Sequence, residues 1–392
     1  MTHLLLVGAW PELAARLVGL PGRVTLLQLD GMPGGYDLAP YQRWAAGLRV
    51  ARWDQPAEIL ETAAAVHRRD PLDVVAGYGE FALPAVAAIS AQLGIRSVPG
   101  PADQRPGKSA QRELLAAGGC RPVRHRLCSD PAEVRAFAAT GPIVLKPDLG
   151  NGSLGVFAVD RAEQAEEGWR WVHAAGLGAV LAEERLSGPE FSVETRSVAG
   201  RHEALMVTEK FTSGPPHFVE VGHLMPARGD VDELRTEALR ALTALGHVDG
   251  PAHVELMLTD DGPKVVEVNR RLGGDRIWEL LQLSTGVDVL RQVLLDALDP
   301  STDPVGRAAR AAAAIRFVHG DRELFADGLP AQPPDPIDAL DGLIRWRWEP
   351  TTYHRRLGYV LTYGADPTEA AGIAEQVCKA LPSHPPAGTV TG

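Results

Sequence analysis

The sequence predicts a multi-domain α/β and α+β protein, and three observations carry that expectation. Short apolar β-type runs alternate with Ala- and Leu-rich helical runs as far as Val98. The proline-rich segment VPGPADQRPGKS then breaks the alternation, and beyond it strands separated by glycine turns take over. At 392 residues the chain is long enough for two or three cores.

In the first stretch HLLLVG, RVTLLQL, GLRVARW and DVVAGYG read as strands, and PELAARLVGL, AEILETAAAVHRR and FALPAVAAISAQLG as helices. That order is the mark of a parallel sheet covered by helices, so residues 1–98 are expected to form a Rossmann-like domain. After the break comes a helix, SAQRELLAAGG, closed by Gly118 and Gly119. The strands VRHRLCS, PIVLKPD, GVFAVD and AVLAEERL, with the helix PAEVRAFAAT, complete a small α+β unit over 99–186. Longer strands (EFSVETRSVAG, HEALMVTEKF, AHVELMLT, PKVVEVN) and two helices occupy 187–305, and a β-rich subdomain is expected over 306–382. Residues 383–392 read as a disordered tail.

Composition narrows the function classes. Lys+Arg number 39 against 50 Asp+Glu, a net charge of -11, and no basic block is interleaved with aromatics. A nucleic-acid partner is therefore not expected, and small molecules are. The opening run HLLLVGAW is too short for a membrane span and lacks a basic flank, so no membrane association and a cytoplasmic setting are the expectation. Cys120, Cys128 and Cys378 share no CxxC spacing, which argues for reduced, structural thiols.

The first strand leads into VGAWPELA, without the G-x-G-x-x-G that brings a dinucleotide pyrophosphate to the backbone, so a nicotinamide enzyme is not expected. Gly107–Ser109 imitates the end of a Walker A loop, yet six residues rather than four separate Gly100 from Gly107. A better phosphate loop is IVLKPDLGNGSLGVFAV, where Lys146 ends a strand and a glycine turn with Ser153 follows. Backbone N–H groups in such a turn can face phosphate oxygens, and the alternative is an ordinary β-hairpin with a loose turn. Further on, AHVELML and KVVEVN flank TDDGP, a hairpin signal. With Asp260 to Gly262 as a three-residue loop, Glu255 falls opposite Glu267, and alternation places Asn269 and His253 on the same polar face. Facing acids repel unless a cation lies between them, and oxygen ligands of this kind suit Mg²⁺. A solvated sheet face with incidental charges is the alternative.

These motifs, taken in order, resemble the ATP-grasp ligases. The resemblance implies the ATP-grasp fold: a Rossmann-like N-terminal domain, a small lid domain and a large C-terminal α+β domain. It also implies ATP as substrate. Lys108 and Lys146 are similar to the family's two ATP lysines, and GNGSLGV, with Ser153, to its phosphate lid. LAEERLSGPEFSVE resembles the stretch that holds adenine with an acid and the following backbone, here Glu183 with Glu184 to Leu186, and the ribose with Glu190. Glu255, Glu267 and Asn269 fall on the family's metal positions, which implies Mg²⁺, two ions, with Mn²⁺ as the substitute. PPHFVEVGHLMPA followed by EVNRRLGGD looks most like the amino-acid ligases that form dipeptides and related amides. There Glu220 and His223 would face the substrates, and Arg271 would bind a carboxylate or the reacting centre. Gly273, Gly274 and Asp275 would edge the substrate site, with Arg270 and Arg276 as further charge-reading candidates. The expected reaction joins an amino-acid carboxylate, main-chain or γ-glutamyl, to a second amino acid's amine through an acyl phosphate, releasing ADP and phosphate. A carboxylase or purine-pathway ligase of the same fold, and an ATP-binding regulatory protein without turnover, are the alternatives. The family often forms homodimers, a property on which the sequence itself is silent. Arg270 departs from the family, which usually has proline there.

Overall fold

The computed structural model describes residues 1–31, 41, 47–100, 107–150, 154–303, 308–320, 341–351 and 355–380. Ser153 and the tail 383–392 lie outside the described residues.

Five strands, β1 (His3–Val7), β2 (Arg23–Asp30), β3 (Gly47–Arg52), β4 (Val74–Ala76) and β5 (Arg96–Val98), form an all-parallel sheet in the order β3-β2-β1-β4-β5. All five residues of β1 are buried, as a central parallel strand covered on both faces requires. The helices here are α1 (Pro11–Ala14), α2 (Pro56–Arg69) and α3 (Leu83–Leu93). Proline at the start and His67, Arg68 and Arg69 in the last turn suit both ends of α2.

Helix α4 (Lys108–Ala117) leads into a four-stranded sheet of order β6-β9-β7-β8, made by β6 (His125–Cys128), β7 (Ile143–Pro147), β8 (Phe157–Val159) and β9 (Val180–Glu184). Helices α5 (Pro131–Ala138) and α6 (Ala165–Ala174) give it a core of its own, around Val134, Leu145 and Val172.

The third sheet has eight strands. In chain order they are β10 (Glu190–Val198), β11 (Arg201–Thr212), β12 (Glu220–Met225), β13 (Gly250–Thr259), β14 (Gly262–Asn269), β15 (Ala312–His319), β16 (Leu343–Thr351) and β17 (Arg356–Gly364). Their spatial order is β14-β13-β10-β11-β12-β15-β17-β16, so the last three strands continue the sheet that the earlier five begin. Helices α7 (Asp232–Ala244), α8 (Ile277–Thr285), α9 (Val289–Leu298) and α10 (Pro367–Ala380) accompany it. One apolar core runs from Leu4, Leu6 and Leu13 through Leu290 and Leu294 to Ile315 and Leu361, joining the parallel sheet to the eight-stranded one. The Tyr78 hydroxyl donates to the Val293 carbonyl at 2.7 Å across the same seam. Among the described residues no helix is long and apolar enough to cross a membrane.

Candidate active site

The four- and eight-stranded sheets enclose an open cleft of about 1010 Å³, mouth included. Its walls bring together Lys108, Lys146, Glu183, Glu184, Leu186, Glu190, Glu220, Glu255 and Glu267, residues drawn from five separate motifs.

At one end the charges are buried and paired. Lys146 on β7 donates to Glu183 on β9 at 2.7 Å, and Arg112 on α4 forks the same carboxylate at 2.6 and 2.9 Å. Burial pushes the Glu183 carboxyl up, but Arg112 and Lys146 outweigh it and hold it at about 2. Burial lowers Lys146, and Glu183 only partly restores it. The Arg112 guanidinium also donates to the carbonyls of Val265 and Val266, so α4 is pinned to β14. Lys108, at the first turn of α4, reaches the Gly150 carbonyl at 2.6 Å and Glu267 at 3.3 Å. Glu184 sits at the rim between Lys264 and Arg124, each at 3.0 Å.

Glu255 and Glu267 do face each other across β13 and β14, with His253 opposite Asn269. The expected three-residue loop is not the reason. Thr259 pairs with Gly262, a two-residue turn that would set Glu255 against Val266. A β-bulge between Glu255 and Leu256 inserts Val266 and restores the acid pair, the re-aiming that bulges perform beside functional sites. Asn269 donates to Glu255 at 3.3 Å, and His253 bridges Glu255 at 3.2 Å and buried Glu194 at 2.8 Å. Burial disfavours the His253 cation, but Glu194 and then Glu255 carry it up to about 9.

At the other end stand Glu220, His223 and Asp275, whose ligating atoms lie within 4.8 Å of one another. His223 is fully buried on β12, 3.6 Å from Asp275 and 4.0 Å from Glu220, edge-on to Phe317. Arg356 on β17 clamps Asp275 through two N–H groups at 2.5 and 3.0 Å, so burial, which raises Asp275, is overcome and the acid is held well below the usual range. Burial, and Asp275 beside it, push Glu220 up despite Lys210. Arg271 pairs with Glu80 of the first domain at 2.6 Å.

Three expectations need correction. Arg270 does not line the cleft and donates to the Leu245 carbonyl at 2.8 Å, just past the end of α7. Arg276 is held by Glu12, Glu279 and Glu349 and lies 4.7 Å over the Tyr359 ring. Gly273 faces inward: a Cβ there would lie 2.8 Å from Glu194 and 3.0 Å from His253, so glycine lets the turn close on that pair. Gly274 has open space around it. The sequence reading also passed over Arg112, Lys210 and Arg356. Arg112 was findable, four positions after Lys108 on one helix face. Lys210 and Arg356 carried no local signal.

Residues 122–275 match the ATP-grasp domain family. The chain is 30% identical over 172 residues to carnosine synthase 1 of Homo sapiens, covering 40% of this chain and 21% of that protein. It is 29% identical to protein y4rH of Sinorhizobium fredii over 316 residues, 73% of this chain and 63% of that one. The chain thus spans less than two thirds of these relatives' own lengths. The L-amino acid ligase from Bacillus licheniformis superposes over 97% of this chain and 98% of its own, with a TM-score of 0.78 at 22% identity. The chain therefore carries an ATP-grasp domain and has the ATP-grasp fold.

Proposed function

We propose that this protein is an ATP-dependent carboxylate–amine ligase that joins one amino acid's carboxylate to another's amine and releases ADP and phosphate. One observation carries the reading: a single cleft runs from Lys146 and Glu183, past the facing acids Glu255 and Glu267, to Glu220, which clusters with His223 and Asp275. A nucleotide site and a polar, buried acid-activating site thus share a wall. Two similar proteins, carnosine synthase 1 and the L-amino acid ligase, are dipeptide-type ligases and support the choice of substrates.

Lys108 and Lys146 stand where charge on the transferred phosphoryl group needs neutralising, and positioning with electrostatics supplies most of the catalysis in such transfers. Glu255 and Glu267 face each other on one sheet with the Asn269 amide beside them, an all-oxygen donor set that fits Mg²⁺ or Mn²⁺. When bound there, a divalent ion would neutralise phosphate charge as a Lewis acid. The acid substrate's carboxylate oxygen attacks the γ-phosphorus, the bond to ADP breaks, and the amine then displaces phosphate from the acyl phosphate. Arg271, paired with Glu80, and His223, beside Asp275, would stabilise the oxyanion of that second step.

The test combines ATP and Mg²⁺ with a matrix of paired amino acids. ADP release, a dipeptide-type product by mass spectrometry and hydroxylamine capture of a hydroxamate are the expected results. Turnover that requires bicarbonate and no amino acid would overturn the proposal.

A further inference from the structure

Lys210 belongs to none of the motifs that resemble known nucleotide or substrate contacts, yet it meets three carboxylates in the cleft wall. Its side chain is 1% exposed. Its ammonium meets one carboxylate from each of three other strands: Glu190 of β10 at 2.9 Å, Glu255 of β13 at 2.9 Å and Glu220 of β12 at 2.8 Å. An ammonium has three N–H donors, and three carboxylates exhaust them. Burial alone would discharge this lysine, but the three acids raise it well above the usual lysine value. It is a fixed positive charge at the centre of the sheet.

The three acids fall in different parts of the proposed site. Glu190 stands at the nucleotide's sugar end, Glu255 in the pair facing Glu267, and Glu220 at the substrate end. Resting on the ligase reading, we infer that Lys210 is the positioning residue that couples these subsites: a divalent cation taking over Glu255 frees one Lys210 donor, which then serves a phosphoryl oxygen in the cleft. The counting makes the phosphoryl contact conditional on Glu255. With Glu255 still on Lys210, no N–H is left for an anion; with Glu255 engaged elsewhere, one is left, on a side chain that already lines the cleft.

The experiment compares the full-length chain with Lys210→Met and Lys210→Arg. The thermal midpoint is measured with and without Mg²⁺ in the absence of nucleotide. Then kcat is measured at saturating ATP and amino acid. In the wild type, Lys210 competes with the ion for Glu255, so Mg²⁺ alone shifts the midpoint little. In Lys210→Met the ion supplies the missing charge, and the Mg²⁺-induced shift grows. Loss of one donor to a phosphoryl oxygen should lower kcat of Lys210→Met about hundredfold. Lys210→Arg should restore the midpoint but not kcat, because a planar fork cannot send donors to three strands. An unchanged Mg²⁺ response in Lys210→Met, or a kcat within about threefold of wild type, would overturn the inference. Should Lys210→Met fail to fold, Lys210→Met combined with Glu220→Gln removes one uncompensated acid and carries the same Mg²⁺ comparison. A wild type that turns over no ATP with any amino acid pair sinks the ligase reading, while the Mg²⁺ response still decides whether Lys210 withholds Glu255.

Discussion

At the end of the cleft proposed for the nucleotide, residues pair across adjacent strands: Lys146 with Glu183 across β7 and β9, Glu255 with Glu267 across β13 and β14. At the substrate end, Arg271 reaches Glu80, 191 positions away in the first domain, and Arg356 reaches Asp275 from the last strand of the sheet, 81 positions away. Those two strand pairings are set by register, while Arg112 and Lys108 reach Glu183 and Glu267 from α4. The two long-range pairs are set by how whole sheets dock through the core that joins Leu4 and Leu290 to Ile315.

The comparison breaks most visibly at the facing acids. Glu267→Gln should lower Mg²⁺-dependent ADP release by on the order of a hundredfold, because a neutral amide neither pairs with Lys108 nor holds a divalent ion as a carboxylate does. Full activity in a coupled ADP assay would show that the acid pair is not the ion's seat.

Arg356→Met sharpens the separation between the ends. It strips Asp275 of its bidentate partner, and KM for the amino acid should rise about tenfold, the loss of roughly one charged hydrogen bond, while KM for ATP stays put. A parallel rise in both constants would show that the two ends are not separable.

The smallest effect is on acid stability. Glu183 sits at about 2 in the folded chain against an ordinary 4.5, so its contribution to stability is complete above pH 4.5 and lost as pH falls through about 2. Glu183→Gln should flatten the acid limb of the denaturation midpoint between those values and lower stability at neutral pH, where Lys146 and Arg112 then lack their counter-charge. An acid limb as steep as the wild type's would assign that loss to other carboxylates.

The facing of Glu255 and Glu267 was legible as a pairing but not for the right reason. Turn chemistry pointed to a three-residue loop, and the chain uses a two-residue turn plus a bulge at Val266, which alternation of apolar and polar residues does not reveal. Lys210 escaped notice because a single lysine in the strand VTEKFT reads as a solvated face, while three acids from other strands bury it. Arg270, expected to read substrate charge, donates to the Leu245 carbonyl beyond α7.

What the sequence determined by itself was the alternation that makes a parallel sheet, the lysines at the start of α4 and the end of β7, and the acids on one face of a hairpin. Each depends on backbone periodicity and short-range turn chemistry, which act over a few residues. Tertiary structure alone decided that Glu80 meets Arg271, that Arg356 clamps Asp275 and that one ammonium serves three strands. Those contacts form only when separate sheets bury a common core, and the pairing of distant charges follows from that packing rather than from any local pattern.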